Sequence, residues 1–350
     1  MKTAIIYGVT GQDGSYLSEL LLSKQYTVYG IHRRSSVNTT TRINHLTNKK
    51  QFHLIQGDVT DSFNIYRLLN EIQPDEVYNL AAQSHVGTSF QQPELTWNVT
   101  AQGCLNILEV IRQMGNRPRF YQASSSEMFG DQYSLNNNRE KYQDERTPFS
   151  PQSPYAIAKL AAHHSTTLYR RSYGLFACGG ILFNHESERR GERFVTRKIS
   201  RYVADLYWAT QTGRSIPKLK LGNLKAKRDW GHAEDYVEAM WLMLQRDTPD
   251  NYVVATGKTY TVEEYLKSAF KCINIIDYMD HVEIDDNLLR PSEVPCLMGN
   301  SSKANRRLGW KPKVDFKTLV ERMVSHDIQI RGRRGEHAGS SEELRGNQHT

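Results

Sequence analysis

The chain has no run of 18 apolar residues among its 350, so the sequence predicts no membrane-spanning segment. Its start, MKTAIIYGVTGQDG, also lacks the apolar core and cleavage site of a signal peptide. Cysteine is scarce, and the four cysteines are widely spaced without a CxxC pair. We therefore expect neither a bound metal nor a disulfide framework, and we expect a reducing, cytoplasmic setting.

The chain also lacks the stripe of aromatic and basic residues that is typical of proteins that bind single-stranded nucleic acid. Lysine and arginine number 45 against 38 acidic residues, which gives a net charge of +7. Part of the excess lies in two clusters, RRGERFVTRK at 189–198 and IRGRRG at 330–335. We expect these cations to favour a phosphorylated small molecule over nucleic acid.

Short apolar runs alternate with amphipathic segments through the first half of the chain. The runs predict strands at 3–8, 27–32, 52–57, 76–81, 119–124 and 176–183. The amphipathic spacing predicts helices at 12–24, 60–71, 94–114 and 153–173. This alternation predicts an α/β fold with a Rossmann-type, doubly wound parallel sheet that is covered by helices on both faces.

The pattern loosens beyond residue 184, with helices expected at 194–212 and 233–247. We expect residues 1–183 to form the dinucleotide-binding domain, with later segments returning to it. Residues 184–328 would form mainly a smaller C-terminal α/β substrate domain. Residues 329–350 are expected to form a disordered tail, because the final stretch is polar.

A glycine-rich turn follows the first predicted strand. Gly8, Gly11 and Gly14 form G-x-x-G-x-x-G, one residue wider than the usual dinucleotide pattern. The first glycine allows the tight turn, the second admits a pyrophosphate, and the third allows close packing of helix on strand. Three glycines alone could mark only a turn, but their place between a strand and a helix favours a dinucleotide site. The other cofactor-binding residues expected here are Thr10, Gln12 and Asp13.

The second strand ends in a basic and hydroxyl-rich segment, where a NAD site would carry an acidic residue. This segment comprises Arg33, Arg34, Ser35 and Ser36. Guanidinium and hydroxyl groups hold a 2′-phosphate, so the cofactor is predicted to be NADP. A solvated basic dipeptide is the alternative.

Two further segments are expected to line the cofactor. Asp58 is placed to accept a hydrogen bond from the adenine amino group, and Val59 to flank the ring. The segment that closes the fourth strand against the far half of the cofactor comprises Leu80, Ala81, Ala82, Gln83 and Ser84.

Tyr155 and Lys159 stand at i and i+4, so their side chains share one helical face. An ammonium group lowers the pKa of a nearby phenol, which allows the tyrosine to act as a base. A YxxxK pair occurs by chance in any helix. Together with the glycine turn and the hydroxyl cluster QASSSE, however, it resembles the extended short-chain dehydrogenase/reductase superfamily, and Ser125 would then contact the substrate O4.

Glu127 is not needed by a plain reductase or epimerase. It follows Ser125 by two residues, so an extended backbone would point both side chains to the same side. A carboxylate near C5 of a sugar can remove a proton made acidic by a C4 ketone and then protonate the departing 6-hydroxyl. This predicts 4,6-dehydration, although Glu127 could instead be a solvated loop residue or a helix cap.

Four segments carry a more specific resemblance. FNHESERRGERFVTRKIS (183–200), RDWGHAEDYV (228–237), VVATGKTYTVEE (253–264) and RPSEVPCLMGNSSKANRRLGW (290–310) closely resemble the GDP-mannose 4,6-dehydratases. The resemblance implies conversion of GDP-mannose to GDP-4-dehydro-6-deoxymannose with NADP recycled internally. An NADPH-dependent reductase of the 4-keto product and a non-catalytic nucleotide-binding protein are the alternatives.

The resemblance also implies roles for individual residues. Tyr155 would take the O4 proton, Lys159 would hold the nicotinamide ribose, and Ser126 would support Ser125 and Glu127. Further cofactor contacts would be His185 and Arg190. The implied substrate contacts are Ser84, Asn184, Val195, Lys198, Arg228, Arg290 and Glu293. A homodimer or homotetramer is implied as well.

Some of the basic residues have alternative, purely structural roles. Arg228 could serve only to form an ion pair with Asp229 or Asp235. Arg197 and Lys198 could form a solvated helix face.

Overall fold

The computed structural model describes residues 1–136, 138–289, 292 and 294–346, with side chains described through residue 333. The strands are β1 (Thr3–Tyr7), β2 (Thr27–His32), β3 (Phe52–Gln56), β4 (Glu76–Asn79), β5 (Arg119–Ser125), β6 (Ser134–Leu135), β7 (Lys141–Tyr142), β8 (Ala177–Leu182), β9 (Asn184–Glu186), β10 (Leu219–Leu221), β11 (Lys227–Arg228), β12 (Trp230–His232), β13 (Asn251–Val254), β14 (Tyr260–Thr261), β15 (Val282–Ile284) and β16 (Cys296–Leu297).

The α-helices are α1 (Gln12–Ser23), α2 (Ser62–Ile72), α3 (Val86–Gln91), α4 (Pro93–Trp97), α5 (Gly103–Gln113), α6 (Pro154–Tyr173), α7 (Val195–Gln211), α8 (Ala233–Leu244), α9 (Val262–Lys271), α10 (Ser302–Leu308) and α11 (Phe316–Gly346). Short 3-10 turns lie at Asn44–Leu46, Ser126–Phe129, Tyr278–His281 and Asp286–Leu288, and a π turn lies at Asn98–Gln102. Among the described helices, none combines the length and apolarity that crossing a bilayer requires.

A seven-stranded sheet forms the centre of the molecule's larger unit. Its strand order is β13-β8-β5-β4-β1-β2-β3, and neighbouring strands run parallel. The order reverses between β1 and β4, which creates a crevice at the carboxyl edge of the sheet. The predicted Rossmann-type, doubly wound fold is therefore confirmed, and the sequence patterns missed only the seventh strand of this sheet, β13.

Helix α6 shows why the sequence folds as it does beside this edge. Ser153 caps its amino end by accepting a hydrogen bond from the Ala156 amide, and Pro154 occupies the first turn. Gly174 ends the helix in the left-handed conformation. These signals fix the register of the helix, and with it the height of Tyr155 and Lys159 above the sheet.

The chain divides into two compact units. The larger consists of Met1–His185, Arg228–Thr259 and Arg290–Lys313, and it contains the seven-stranded sheet. The smaller consists of Glu186–Lys227, Tyr260–Leu289 and Val314–Thr350. In the smaller unit, α7 packs against α9 and α11, and β10 pairs with β15 in parallel.

The end of the chain differs from the expected disordered tail. Helix α11 continues to Gly346, and residues 347–350 lie outside the described residues. The indole of Trp208 donates a hydrogen bond to the carbonyl of Ile328 at 2.9 Å, and Arg331 pairs with Asp205 at 2.8 Å. Ile328 lies just before the segment and Arg331 within it, so contacts with α7 hold the start of the segment as a helix, which its polar composition did not indicate.

Candidate active site

The glycine turn joins β1 to α1 beside the end of β4. Gly8 has a φ of +84°, and a Cβ there would lie 3.0 Å from the backbone of Leu80 and Ala81. A Cβ on Gly14 would lie only 2.5 Å from the carbonyl oxygen of Gly8. Gly11, which has no side chain, is the N-cap of α1. The turn therefore brings a helix N-terminus to the crevice, an arrangement that binds anions.

The four basic and hydroxyl residues predicted for the 2′-phosphate lie directly after β2. Arg33, Arg34, Ser35 and Ser36 are all exposed at the carboxyl edge of the sheet. Sequence reasoning missed a further guanidinium nearby: Arg42 donates a hydrogen bond to the carbonyl of Thr10 at 3.4 Å. Its sequence surroundings, TTTRINHL, carry no motif that would have pointed to this contact.

The segments after β3 and β4 are held by local hydrogen bonds. Asp58 accepts from the amide and hydroxyl of Thr60 at 2.9 and 2.8 Å, and Val59 is buried. Gln83 accepts from the amide of His85 at 2.7 Å and donates to the hydroxyl of Thr96 at 3.1 Å. The Leu80–Ser84 stretch follows β4, the strand beside β1.

The hydroxyl cluster and the Glu127 carboxylate lie at the end of strand β5 and in the turn that follows it. Contrary to the expected extended backbone, the chain turns after Ser125 into a 3-10 turn, and the hydroxyl of Ser125 caps it by accepting from the Glu127 amide at 3.2 Å. Glu127 is only 9% exposed, so it is not a solvated loop residue. The cap, rather than strand alternation, brings Glu127 close to Ser125.

Tyr155 and Lys159 project from α6 and are both buried. The Lys159 ammonium donates to the carbonyl of Ala123 at 2.7 Å and lies 5.8 Å from the centre of the Tyr155 ring. Burial lowers the pKa of Lys159 to about 8, and the nearby Cys104 and Asp13 oppose that shift. The lysine thus holds a buried charge beside the phenol, which favours the phenolate.

A buried polar network links β5 to α6, and sequence reasoning missed it. Nδ1 of His163 lies 2.8 Å from the hydroxyl of Ser124, and Nε2 lies 3.2 Å from the side-chain nitrogen Nδ2 of Asn251. Burial lowers the pKa of His163 to about 3, so the ring is neutral. This network fixes the strand that carries Ser125 against the helix that carries Tyr155.

His185 lies beside the glycine turn. Its Nε2 is 2.8 Å from Oδ2 of Asp13, and its Nδ1 is 2.7 Å from the carbonyl oxygen of Phe183. The ring stacks on Tyr236 with centroids 4.5 Å apart. The adjacent Asn184 has a buried Oδ1 without a hydrogen-bond partner among the described residues.

The smaller unit carries three of the expected ligand contacts. Arg190 pairs with Glu186 at 3.0 Å and stacks on the Phe194 ring at 3.7 Å. Val195 begins α7, and the Lys198 ammonium donates to the carbonyl of Lys220 at 2.6 Å.

Arg197, in contrast, is no part of a solvated face. It is buried and pairs with Asp327 at 2.7 Å.

Arg228 is buried in the larger unit and donates to the carbonyl of Val294 at 2.8 Å. Asp229 accepts instead from the amides of Thr256 and Gly257 at 2.8 and 2.9 Å. Burial raises the pKa of Asp229 to about 6. Arg290 and Glu293 lie outside the described residues.

The sheet order, the glycine turn and the Tyr155–Lys159 pair define a protein of the short-chain dehydrogenase/reductase type. The solved structures that share the fold include a dehydratase and an epimerase. The dTDP-glucose 4,6-dehydratase DesIV of Streptomyces venezuelae is 21% identical, with a TM-score of 0.81 over 94% of this chain and 98% of that chain. The UDP-glucose 4-epimerase of Thermus thermophilus is 25% identical, with a TM-score of 0.77 over 93% and 98%.

The chain belongs to the GDP-mannose 4,6-dehydratase family. The family profile described as GDP-mannose 4,6 dehydratase matches residues 5–323. GDP-mannose 4,6 dehydratase 1 of Arabidopsis thaliana is 51% identical over 94% of this chain and 90% of that protein. GDP-mannose 4,6 dehydratase of Drosophila melanogaster is 48% identical over 94% and 87%. The resemblance identified in the sequence is therefore confirmed.

Proposed function

We propose that the protein is a hydro-lyase that converts GDP-mannose to GDP-4-dehydro-6-deoxymannose. The observation that carries this proposal is the burial of Glu127, whose backbone amide donates to the Ser125 hydroxyl at the end of β5, in a chain of this family. A reductase needs a proton donor and a hydride source but no carboxylate at this position.

The cofactor is a nicotinamide dinucleotide, and we propose NADP in particular. The site fits a dinucleotide because the N-terminus of α1 meets the crevice, and because Gly8, at positive φ and without a Cβ, lets the turn pack against the backbone of Leu80 and Ala81. The exposed Arg33 and Arg34 favour a 2′-phosphate over a bare ribose hydroxyl. When bound, the cofactor supplies oxidation at C4 and returns the reducing equivalents at C6.

The residues of β5 and α6 manage the protons of the first step. Tyr155 takes the proton of the C4 hydroxyl, because the Lys159 ammonium stabilises its phenolate. Lys159 is held in place by its hydrogen bond to the Ala123 carbonyl. The Ser125 hydroxyl is positioned at the strand end to donate to the substrate O4.

Glu127 then carries out the elimination. Its carboxylate removes the C5 proton and delivers it to the departing 6-hydroxyl, so that one group acts as base and then as acid. Ser126, buried beside it, supports this pair. Glu127 ends the elimination unprotonated. When the reducing equivalents return at C6, Tyr155 releases to C5 the proton that it took from the C4 hydroxyl, so the cycle needs no external proton source.

Substrate binding in this proposal uses polar groups beyond the catalytic residues. Asn184 offers a buried carbonyl oxygen that no described residue satisfies, which suits a ligand donor. Arg228 supplies a guanidinium for the diphosphate. The remaining proposed substrate contacts are Ser84, Val195, Lys198, Arg290 and Glu293. We further propose a cytoplasmic homodimer or homotetramer.

Mass spectrometry of the product tests the reaction. Purified protein incubated with GDP-mannose should yield a nucleotide sugar lighter by one water, without accumulation of NADPH. Accumulation of NADPH in proportion to product would contradict internal recycling of the cofactor. Unchanged GDP-mannose would contradict the dehydratase, and consumption of added NADPH with the 4-keto sugar nucleotide would then favour the reductase.

The variant Glu127→Gln tests the carboxylate. It keeps the backbone hydrogen bond to Ser125 and removes the proton carrier, so water loss should slow by about 10²- to 10⁴-fold. Oxidation at C4 should remain measurable, as formation of bound NADPH. The surface variant Glu140→Gln is the control, since Glu140 is exposed. Full dehydration by Glu127→Gln would remove the assigned role.

A further inference from the structure

We propose that Asp13 holds His185 as an imidazolium, and that this neutralised pair positions the glycine turn for the pyrophosphate. The inference rests on the proposed function, because it assumes that the turn binds a dinucleotide. Both residues are then positioning residues as well as neighbours of the cofactor.

The hydrogen-bonding pattern of His185 sets its protonation state. Nδ1 faces the carbonyl oxygen of Phe183 at 2.7 Å, and Nε2 faces a carboxylate oxygen of Asp13 at 2.8 Å. Both oxygens accept, whereas a neutral imidazole can donate from only one nitrogen. The shared proton belongs on the imidazole, because a carboxylic acid is the stronger acid of the two. The ring is therefore cationic.

The location of Asp13 explains why this cation matters. Asp13 lies in the first turn of α1, the helix end that is offered to the pyrophosphate. A lone carboxylate there would repel a phosphate group. The imidazolium cancels that charge and leaves the amide groups of the turn available to the anion.

The surroundings hold the pair in place. Gln12 donates from Nε2 to the carbonyl of His185 and to Oδ1 of Asp13, both at 3.0 Å. Tyr236 of α8 stacks on the imidazole. Asp13 also acts electrostatically on Lys159 of α6 and Tyr121 of β5, so the same carboxylate supports the catalytic ammonium.

Nitrogen NMR tests the protonation state directly. In protein labelled with ¹⁵N-histidine and loaded with NADP, the His185 resonances are those lost in His185→Gln. Both ring nitrogens should show imidazolium shifts at pH 7.5, and Asp13→Asn should convert them to the pattern of a neutral ring. A neutral pattern in the unmodified protein would overturn the proposal.

Calorimetric titration of NAD and NADP into nucleotide-free full-length protein tests the consequence. His185→Gln exposes the charge of Asp13 and should weaken binding at least tenfold. Asp13→Asn should change it less than threefold, and the double variant should match Asp13→Asn. A double variant as weak as His185→Gln would refute charge neutralisation.

The matched control uses the imidazole–carboxylate pair formed by His45 with Glu19 of the same helix. His45→Gln and Glu19→Gln should leave the affinity unchanged. Unmodified protein that binds neither nucleotide would contradict the proposed function, whereas the NMR result would still decide whether the pair exists.

Discussion

Replacement of Lys159 by Met should separate the catalytic role of this residue from its effect on stability. Lys159 is 3% exposed, and burial lowers its pKa from 10.5 to about 8. That difference corresponds to a cost of about 3 kcal/mol for holding the charge in the folded protein. Met removes this cost and also the hydrogen bond to Ala123, which contributes about 1.5–3 kcal/mol. Lys159→Met should therefore be as stable as the unmodified protein at pH 7 or slightly more stable, although dehydration falls by at least about 10²-fold.

The dependence on pH gives the sharper measurement. Because the folded pKa is lowered, the unfolded chain binds more protons between pH 8 and pH 10.5. The free energy of unfolding of the unmodified protein should therefore rise in this range, relative to the variant, by about 3 kcal/mol.

Urea denaturation of the nucleotide-free proteins from pH 7 upward measures this difference. Lys50→Met, at an exposed position, is the control and should show a constant difference. A constant difference for Lys159→Met as well, or a large loss of its stability at pH 7, would refute the assignment of a strained buried charge.

Three further substitutions test other parts of the site. A Cβ on Gly14 would lie 2.5 Å from the carbonyl oxygen of Gly8, so Gly14→Ala should weaken NADP binding at least tenfold in calorimetry and lower the free energy of unfolding by about 1–3 kcal/mol. The control is Gly115→Ala, where the added Cβ has no atom within 4 Å, and it should change neither quantity. Burial lowers the pKa of His163 to about 3, so the free energy of unfolding of the unmodified protein should fall by up to about 1.4 kcal/mol per pH unit below pH 6.5. Denaturation of His163→Gln at a series of pH values should lack that slope. An unchanged slope would exclude His163 as its source. Arg33→Glu should weaken NADP binding about tenfold more than NAD binding, and equal losses would contradict a 2′-phosphate contact.

The elements that the sequence predicted correctly are those whose signals are local. Strand β8 is an unbroken apolar run because it is buried on both faces of the sheet. Helix α6 carries its cap, its proline and its terminal glycine within its own sequence. Lys159 follows Tyr155 by one helical turn, so the spacing alone placed the two side chains on one face.

The features that the sequence could not give depend on partners far away in the chain. In the sequence, Arg197 resembles part of a basic surface, because its partner Asp327 lies far away along the chain. No local sequence motif predicts the hydrogen bonds of His163, because its partners Ser124 and Asn251 lie in separate strands. The 3-10 turn after Ser125 also escaped prediction, because the hydroxyl that caps it is equally compatible with an extended strand.

The order in which the chain completes its central sheet has a consequence for synthesis in the cell. Strand β13 covers the outer edge of β8, yet it leaves the ribosome only after α7 and α8. Until then, the six strands that have already been synthesised leave the apolar edge strand β8 unpaired, and a strand of another chain can pair with it. During translation, self-association through β8 is therefore favoured in the interval between folding of β8 and pairing of residues 251–254 with it.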